Sequence, residues 1–197
     1  RRDWRNRNKI KTQNGLLWIT IPVMVKGNFL QKISETKISE EAWAEKHWQT
    51  LKMVYSKAPF FKMYENEFAD FYLNTAPSLE NLSQINQHLI LLINEILGIK
   101  TKISLDKDYG VVDGANERLL DLCKKASATC YLSGPAAQDY MDTSLFNKEN
   151  IEVEWMDYSG YKEYNQQYPP FQHGVSILDL LFSEGENARL YMKSFDK

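Results

Sequence analysis

With 197 residues, 43 % of them apolar and 25 % charged, the chain has the composition of an ordinary globular protein and is long enough to bury a substantial core. A formal net charge of −2 excludes a general pull toward nucleic acid or anionic membrane, and no apolar run is long enough to cross a bilayer. Two cysteines, Cys123 and Cys130, do not make a secreted disulfide framework, and with no signal-peptide pattern the expected compartment is the cytoplasm.

The first elements form a hairpin. Asn14-Gly15 tolerates positive φ and predicts a tight turn between strands over residues 4–12 and 17–23. In the first strand Arg5, Arg7, Lys9 and Lys11 share one face, and Trp4, Asn6, Asn8 and Ile10 share the other. In the second, Trp18, Thr20 and Pro22 alternate with Leu17, Ile19, Ile21 and Val23, which predicts a largely buried strand. Arginines on a rigid ribbon have the fork geometry that grips carboxylate or phosphate, so Arg5, Arg7 and Asn8 are candidate anion contacts beside Trp18. The competing reading is a solvated edge strand whose charge resists aggregation.

Residues 31–38 suggest a short strand. Ser39 is placed to cap a helix with Glu40 and Glu41 in its first turn, and Trp43, His47, Leu51, Val54 and Tyr55 fall on one face. His47 therefore reads either as a packed core histidine or as a base. A second helix is expected over 62–72, with Tyr64, Phe68, Phe71 and Tyr72 as its stripe. A third starts near Pro77-Ser78 and stops at Gly98. Together they make a helical block over 39–97 within a single domain spanning 1–197.

From Gly98 onward strands and helices alternate: a strand at 101–105, a helix at 115–126, a strand at 128–132, a short helix at 135–141 and a strand at 151–156. The expected class is α/β, a mixed or parallel sheet with an N-terminal β-hairpin and an inserted helical block. At Tyr131-Leu132-Ser133-Gly134-Pro135 a strand meets a helix start, where N–H groups attract anions. Asp139 and Tyr140 lie one turn further along. The irregular stretch 158–174 carries Tyr158, Tyr161, Tyr164, Tyr168 and Phe171 among Gln166, Gln167 and Gln172, a stacking and hydrogen-bonding surface for a sugar or base. His173 in that loop is a candidate general base. Ser176 and Asp179 read as a capping box, and both cysteines as buried thiols. There is no phosphate-binding GK[ST] loop, no GxGxxG and no metal-ligand spacing among the three histidines, so the motifs indicate no metal and leave any cofactor unknown.

WRNRNKIK followed by WITIPV, Trp43 with Lys46-His47, Tyr55 with Lys57-Ala58-Pro59, Leu97-Gly98-Ile99, Tyr131 to Gly134, and Gly174 to Phe182 resemble the WbqC-like family of bacterial proteins. The resemblance runs over nearly the whole chain. It implies an association with surface-polysaccharide (O-antigen) genes and a further N-terminal segment ahead of Arg1. It also implies an enzyme, expected to be a transferase, that handles a nucleotide-linked amino sugar and passes glycine or another acyl group to the sugar amine. In that picture Arg5, Arg7, Asn8 and Trp18 hold substrate, with Ser133, Gly134, Asp139, Tyr140, Tyr164 and Gln166. His47 or His173 takes the proton. The small-molecule substrate would be the ligand, with no nucleic acid partner. Two other readings stay open: a non-catalytic binding or assembly protein, and a nucleotidyl- or adenylyl-transferring ligase.

Overall fold

The computed structural model describes residues 4–24, 27, 31–110, 112 and 114–195. The connection expected ahead of residue 31 (Gly27 apart), Asp113 and the side chain of Trp4 lie outside the described residues. The fold is a mixture of helix and strand, as the alternation predicts, with an antiparallel hairpin near its start and a parallel pair of strands later. It divides into two compact units, one built from Arg1–Lys100 with Tyr161–Lys197 and the other from Thr101–Gly160.

In the first unit β1 (Arg7–Thr12) pairs antiparallel with β2 (Gly15–Thr20), with Arg7 opposite Thr20, Lys9 opposite Trp18 and Lys11 opposite Leu16. The turn is Gln13-Asn14, one residue earlier than expected. Gly15 opens β2 at φ +102°, and the Thr12 hydroxyl donates to its carbonyl at 2.8 Å. Trp4–Asn6 is a single helical turn instead of strand.

Burial in the hairpin is the reverse of the expectation. Ile10 is fully buried and Lys11 is 3 % exposed, whereas Leu16 and Leu17 are each 41 % and Trp18 46 % exposed. The reason is the far edge of β1. Lys9 O accepts from Ser176 N at 2.7 Å and Lys11 N donates to the Tyr55 hydroxyl at 3.2 Å, so β1 is covered at Ile10 and Lys11 and β2 becomes the edge.

The helical block follows. Residues 31–38 do not form a strand: a helical turn at Ile33–Glu35 is followed by isolated bridges of Ile38 to Val23 and Lys37 to Asn81. α1 (Trp43–Tyr55) starts after Ala42 and not at Ser39, which donates its N–H to Pro22 O and stays with the hairpin. α2 (Phe61–Asp70) widens into a π turn at Phe71–Thr75. α3 (Leu82–Leu97) begins later than Pro77-Ser78 suggests. Asn81 is its cap, accepting from Gln84 N at 3.0 Å while the Gln84 side chain answers Asn81 N, and Gly98 ends it at φ +61°. The core closes on the last α-helix among the described residues, Ile177–Glu184, where the Phe182 ring lies 5.2 Å from Tyr55, 5.1 Å from Phe61 and 5.5 Å from Phe68.

In the second unit α4 (Ala115–Lys125) precedes β3 (Cys130–Ser133), α5 (Thr143–Lys148) and β4 (Glu152–Trp155), and β3 runs parallel to β4. This is one βαβ crossover. Residues 101–105 are not a strand, and 135–141 supply only a short 3₁₀ turn, Pro135–Asp139. Tyr131, Val153 and Trp155 pack inward with Phe146. Cys123 is buried, but Cys130 is exposed, because it points to the uncovered face of the two-stranded sheet with Leu132. From here the helix Ile177–Glu184 is called α6.

Candidate functional site

The alternation of β1 and its register with β2 put Arg7, Lys9, Leu16 and Trp18 on one face of the hairpin. The Arg7 guanidinium lies 4.4 Å and the Lys9 ammonium 4.9 Å from the centre of the Trp18 ring. Each contact is worth about 0.5–1 kcal/mol at an exposed ring, enough to hold long side chains in place. Arg7 Nε is buried without a hydrogen-bond partner, an unspent donor beside a half-exposed indole. Asn8 alternates to the opposite face, and its side chain accepts from Lys9 N at 2.8 Å. Arg5 sits in the helical turn before β1, outside the strand's alternation, with its carbonyl accepting from the Asn86 side chain. The hairpin thus gathers Arg7, Lys9 and Trp18 and leaves out Arg5 and Asn8.

His47 stands at the same end. Its Nε2 donates to Thr20 O at 3.0 Å, and Thr20 is the cross-strand partner of Arg7. The ring lies edge-on to Trp43 at 5.1 Å and near Tyr72 at 6.3 Å. Burial lowers its pKa below the usual value, with the bond to Thr20 O pulling partly the other way. His47 is therefore a neutral imidazole that fastens α1 to the end of β2. His173 is exposed on its loop, 4.7 Å from the Phe171 ring and 4.0 Å from a Glu163 carboxylate oxygen. No hydrogen bond, ion pair or ring contact joins it to His47 or the hairpin among the described residues.

Tyr164 and Gln166 face inward, and what they face was not singled out from the sequence. The Tyr164 hydroxyl donates to Asp179 Oδ1 at 2.7 Å, and the Tyr55 hydroxyl donates to Asp179 Oδ2 at 2.8 Å while accepting from Lys11 N. Gln166 closes the loop on itself, its amide donating to Gln172 O at 2.9 Å and its oxygen accepting from Gln172 N at 2.8 Å. Asp179 is 1 % exposed. Burial raises its pKa, against the hydrogen bonds from Tyr164, Tyr55 and Gln166 and the charge of Lys11, which lower it. The two tyrosines are pushed upward in turn, by burial first and the Asp179 charge next. The capping box expected here is half formed: Ser176 accepts from Leu178 N, but the Asp179 carboxylate turns to the tyrosines. A signal was present. Asp179 is a carboxylate inside the apolar run Ile177–Phe182, where a cap alone does not call for full burial.

Ser133, Gly134, Asp139 and Tyr140 belong to the second unit. Ser133 is buried, its carbonyl accepting from Met156 N at 2.8 Å, and Gly134 precedes a five-residue turn with no side-chain cap. Such a turn carries little of a helix's dipole. Asp139 and Tyr140 are exposed at its far end. Among the described residues no group of three His, Cys, Asp or Glu side chains could hold a metal ion, and no helix is long and apolar enough to cross a membrane. A groove of about 240 Å³ between α2 and α3 is lined by Glu67, Asp70, His88 and Glu95 over Phe71 and Leu92, and contains none of the residues chosen from the sequence.

Comparison with known proteins places the chain in one family. The profile of the WbqC-like protein family matches residues 1–191. The "Uncharacterized protein Rv1507c" of Mycobacterium tuberculosis (strain ATCC 25618 / H37Rv) is 47 % identical over 193 residues, which is 98 % of this chain and 83 % of that protein. No solved structure matches.

Proposed function

The chain belongs to the WbqC-like protein family, and we propose that it is a transferase of surface-polysaccharide (O-antigen) assembly that binds a nucleotide-linked amino sugar and carries an acyl group, such as glycyl, from an activated ester or thioester to the sugar amine, the amide forming as the donor's alcohol or thiol leaves. One observation carries the binding half of this reading. Arg7 and Lys9 are held against the exposed Trp18 ring, so two cations and a flat apolar surface are preorganised side by side. Paired cations suit a diphosphate, and an indole suits the base or sugar next to it. His47, neutral and bonded through Nε2 to Thr20, keeps the lone pair of its other ring nitrogen. That lone pair is the group we assign to take the proton from the attacking amine.

The experiment is calorimetric titration of the protein with UDP- and GDP-amino sugars. Saturable heat is expected, with Trp18→Ala and Arg7→Ala each weakening affinity by about ten-fold, equivalent to about 1.4 kcal/mol. No heat with any nucleotide or nucleotide sugar refutes the reading. A second reading, docking of a protein partner along the edge strand, is favoured by the exposure of Leu16, Leu17 and Trp18 on β2. Leu17 pairs with Ile10 and so lies on the face away from Trp18. Loss of nucleotide binding in Trp18→Ala but not in Leu17→Ala decides for the ligand site.

A further inference from the structure

We propose that the Lys11 ammonium is an anion-binding point of its own, taking one oxygen of a phosphate or carboxylate on a small molecule. Lys11 shares its face of β1 with Arg7 and Lys9 and is the inner end of that row. Its residue is 97 % buried, since 3 % remains exposed, yet the ammonium has no hydrogen bond or ion pair among the described residues. It is not among the fully buried unpaired atoms, so the small exposed area includes the ammonium itself. A stem enclosed by protein with its head at an opening is the usual posture of a lysine near a boundary. A nearly enclosed ammonium without a partner is costly, and proteins keep such groups chiefly where they act.

A countercharge lies within reach of Lys11, yet its donors are unused among the described residues. Asp179 is the carboxylate whose field reaches Lys11. Each of its two oxygens accepts from a tyrosine hydroxyl, Tyr164 on one and Tyr55 on the other, and the Tyr55 oxygen accepts from the Lys11 backbone N–H. Among the described residues no hydrogen bond or ion pair joins that carboxylate to the ammonium, so Lys11 feels a countercharge but spends none of its three N–H groups on it. That arrangement favours a cation ready to meet an incoming oxyanion. With so little of Lys11 exposed, a ligand would reach it with a single oxygen while its body stays on the Lys9–Trp18 face.

The test uses the whole chain with inorganic pyrophosphate, inorganic phosphate and acetate as probes. Calorimetry is run on the natural sequence, Lys11→Met, Lys11→Arg and Asp179→Asn. In parallel, acylation of each lysine by an N-acetoxysuccinimide reagent is followed by peptide mass spectrometry. Lys11→Met should weaken binding of the preferred probe by about ten-fold or more and Lys11→Arg by much less. Asp179→Asn should tighten it, because the competing negative charge is gone. The preferred probe should slow acylation at Lys11 but not at the exposed Lys102. Phosphate or pyrophosphate outcompeting acetate identifies a phosphate ligand, and the converse a carboxylate.

If Lys11→Met binds every probe as the natural sequence does and merely melts earlier, Lys11 is only the counter-ion of Asp179 and the proposal falls. Should Lys11→Met not fold, the absence of any probe-dependent protection at Lys11, with unchanged affinity in Lys11→Arg and Asp179→Asn, overturns it equally. This inference is independent of the transferase reading: oxyanion binding at Lys11 with no heat from nucleotide sugars removes that reading and leaves this one.

Discussion

Tyr55→Phe deletes one oxygen and unmakes two bonds at once. The tyrosine is fully buried, and its hydroxyl is both the donor to Asp179 Oδ2 at 2.8 Å and the acceptor for Lys11 N at 3.2 Å. Losing a bond to a charged group costs about 1.5–3 kcal/mol, and leaving a buried N–H unpaired costs about 1–3 kcal/mol. Taken together the loss is about 3–5 kcal/mol, a large part of the 5–15 kcal/mol typical of a folded domain. At about 2–4 °C per kcal/mol for a chain of this size, the melting temperature should drop by about 10 °C. Urea unfolding followed by tryptophan fluorescence reads it well, because Trp4, Trp18, Trp43 and Trp48 all belong to the unit that contains Tyr55, and only Trp155 lies in the other. Tyr164→Phe serves as the internal comparison. Its hydroxyl also donates to Asp179, but its other bond is a 3.4 Å contact with Gln166, so about half the effect is expected. A Tyr55→Phe protein within about 0.5 kcal/mol of the natural sequence would refute the view that this hydroxyl holds strand and carboxylate together.

Phe182→Ala empties the centre of the aromatic cluster formed with Tyr55, Phe61 and Phe68 and should cost about 3–5 kcal/mol in urea unfolding, with a small effect ruling out a tightly packed centre. Acidification should act through His47 and Asp179 with opposite signs. The folded pKa of His47 lies below the unfolded value, so the unfolded chain binds the proton first; its contribution is whole above about pH 6.5 and is lost as pH falls through the lowered folded pKa. The folded pKa of Asp179 is raised, so its contribution is present below about pH 3.9 and is lost as pH rises through the folded value. Urea midpoints of His47→Gln between pH 7 and 5 should therefore fall less steeply than those of the natural sequence, and a steeper fall would contradict the assigned burial of the ring.

The elements legible in the sequence are those whose signal is local. Apolar spacing locates α1, α2 and α3, Gly98 marks a helix end, and the alternation from Cys130 to Trp155 yields the parallel pair. The signals that misled are those in which a local partner competes with a distant one. Ser39 is a good cap by type, but its backbone is tied to Pro22 O beyond β2, and the helix starts only after Ala42. Asp179 has a cap within reach, but two tyrosine hydroxyls reach its oxygens in the core. Strand alternation shows which residues share a face but not which face is covered, and so Cys130, which the pattern reads as buried, lies on the open side of the sheet. The candidate site divides on the same line: Arg7 and Trp18 meet because they are cross-strand neighbours, whereas the partnership of Tyr55 with Asp179 spans 124 positions and leaves no trace in spacing.

The hairpin also bears on why its cations are there at all. Edge strands commonly carry charge so that they do not pair with other chains, and that was the plain alternative for Arg7, Lys9 and Lys11. In the folded chain the edge is β2, and β2 presents Leu16, Leu17 and Trp18. The cations stand on β1, whose far edge is already occupied by Ser176 and Tyr55. Charge placed there stands away from the open backbone edge, and at Lys11 it is carried by an almost enclosed side chain. Edge protection therefore does not account for this row of side chains. The anion recognition proposed above needs rigid backbone behind the cations and a neighbouring surface to receive the rest of the ligand, and β1 with Trp18 offers both.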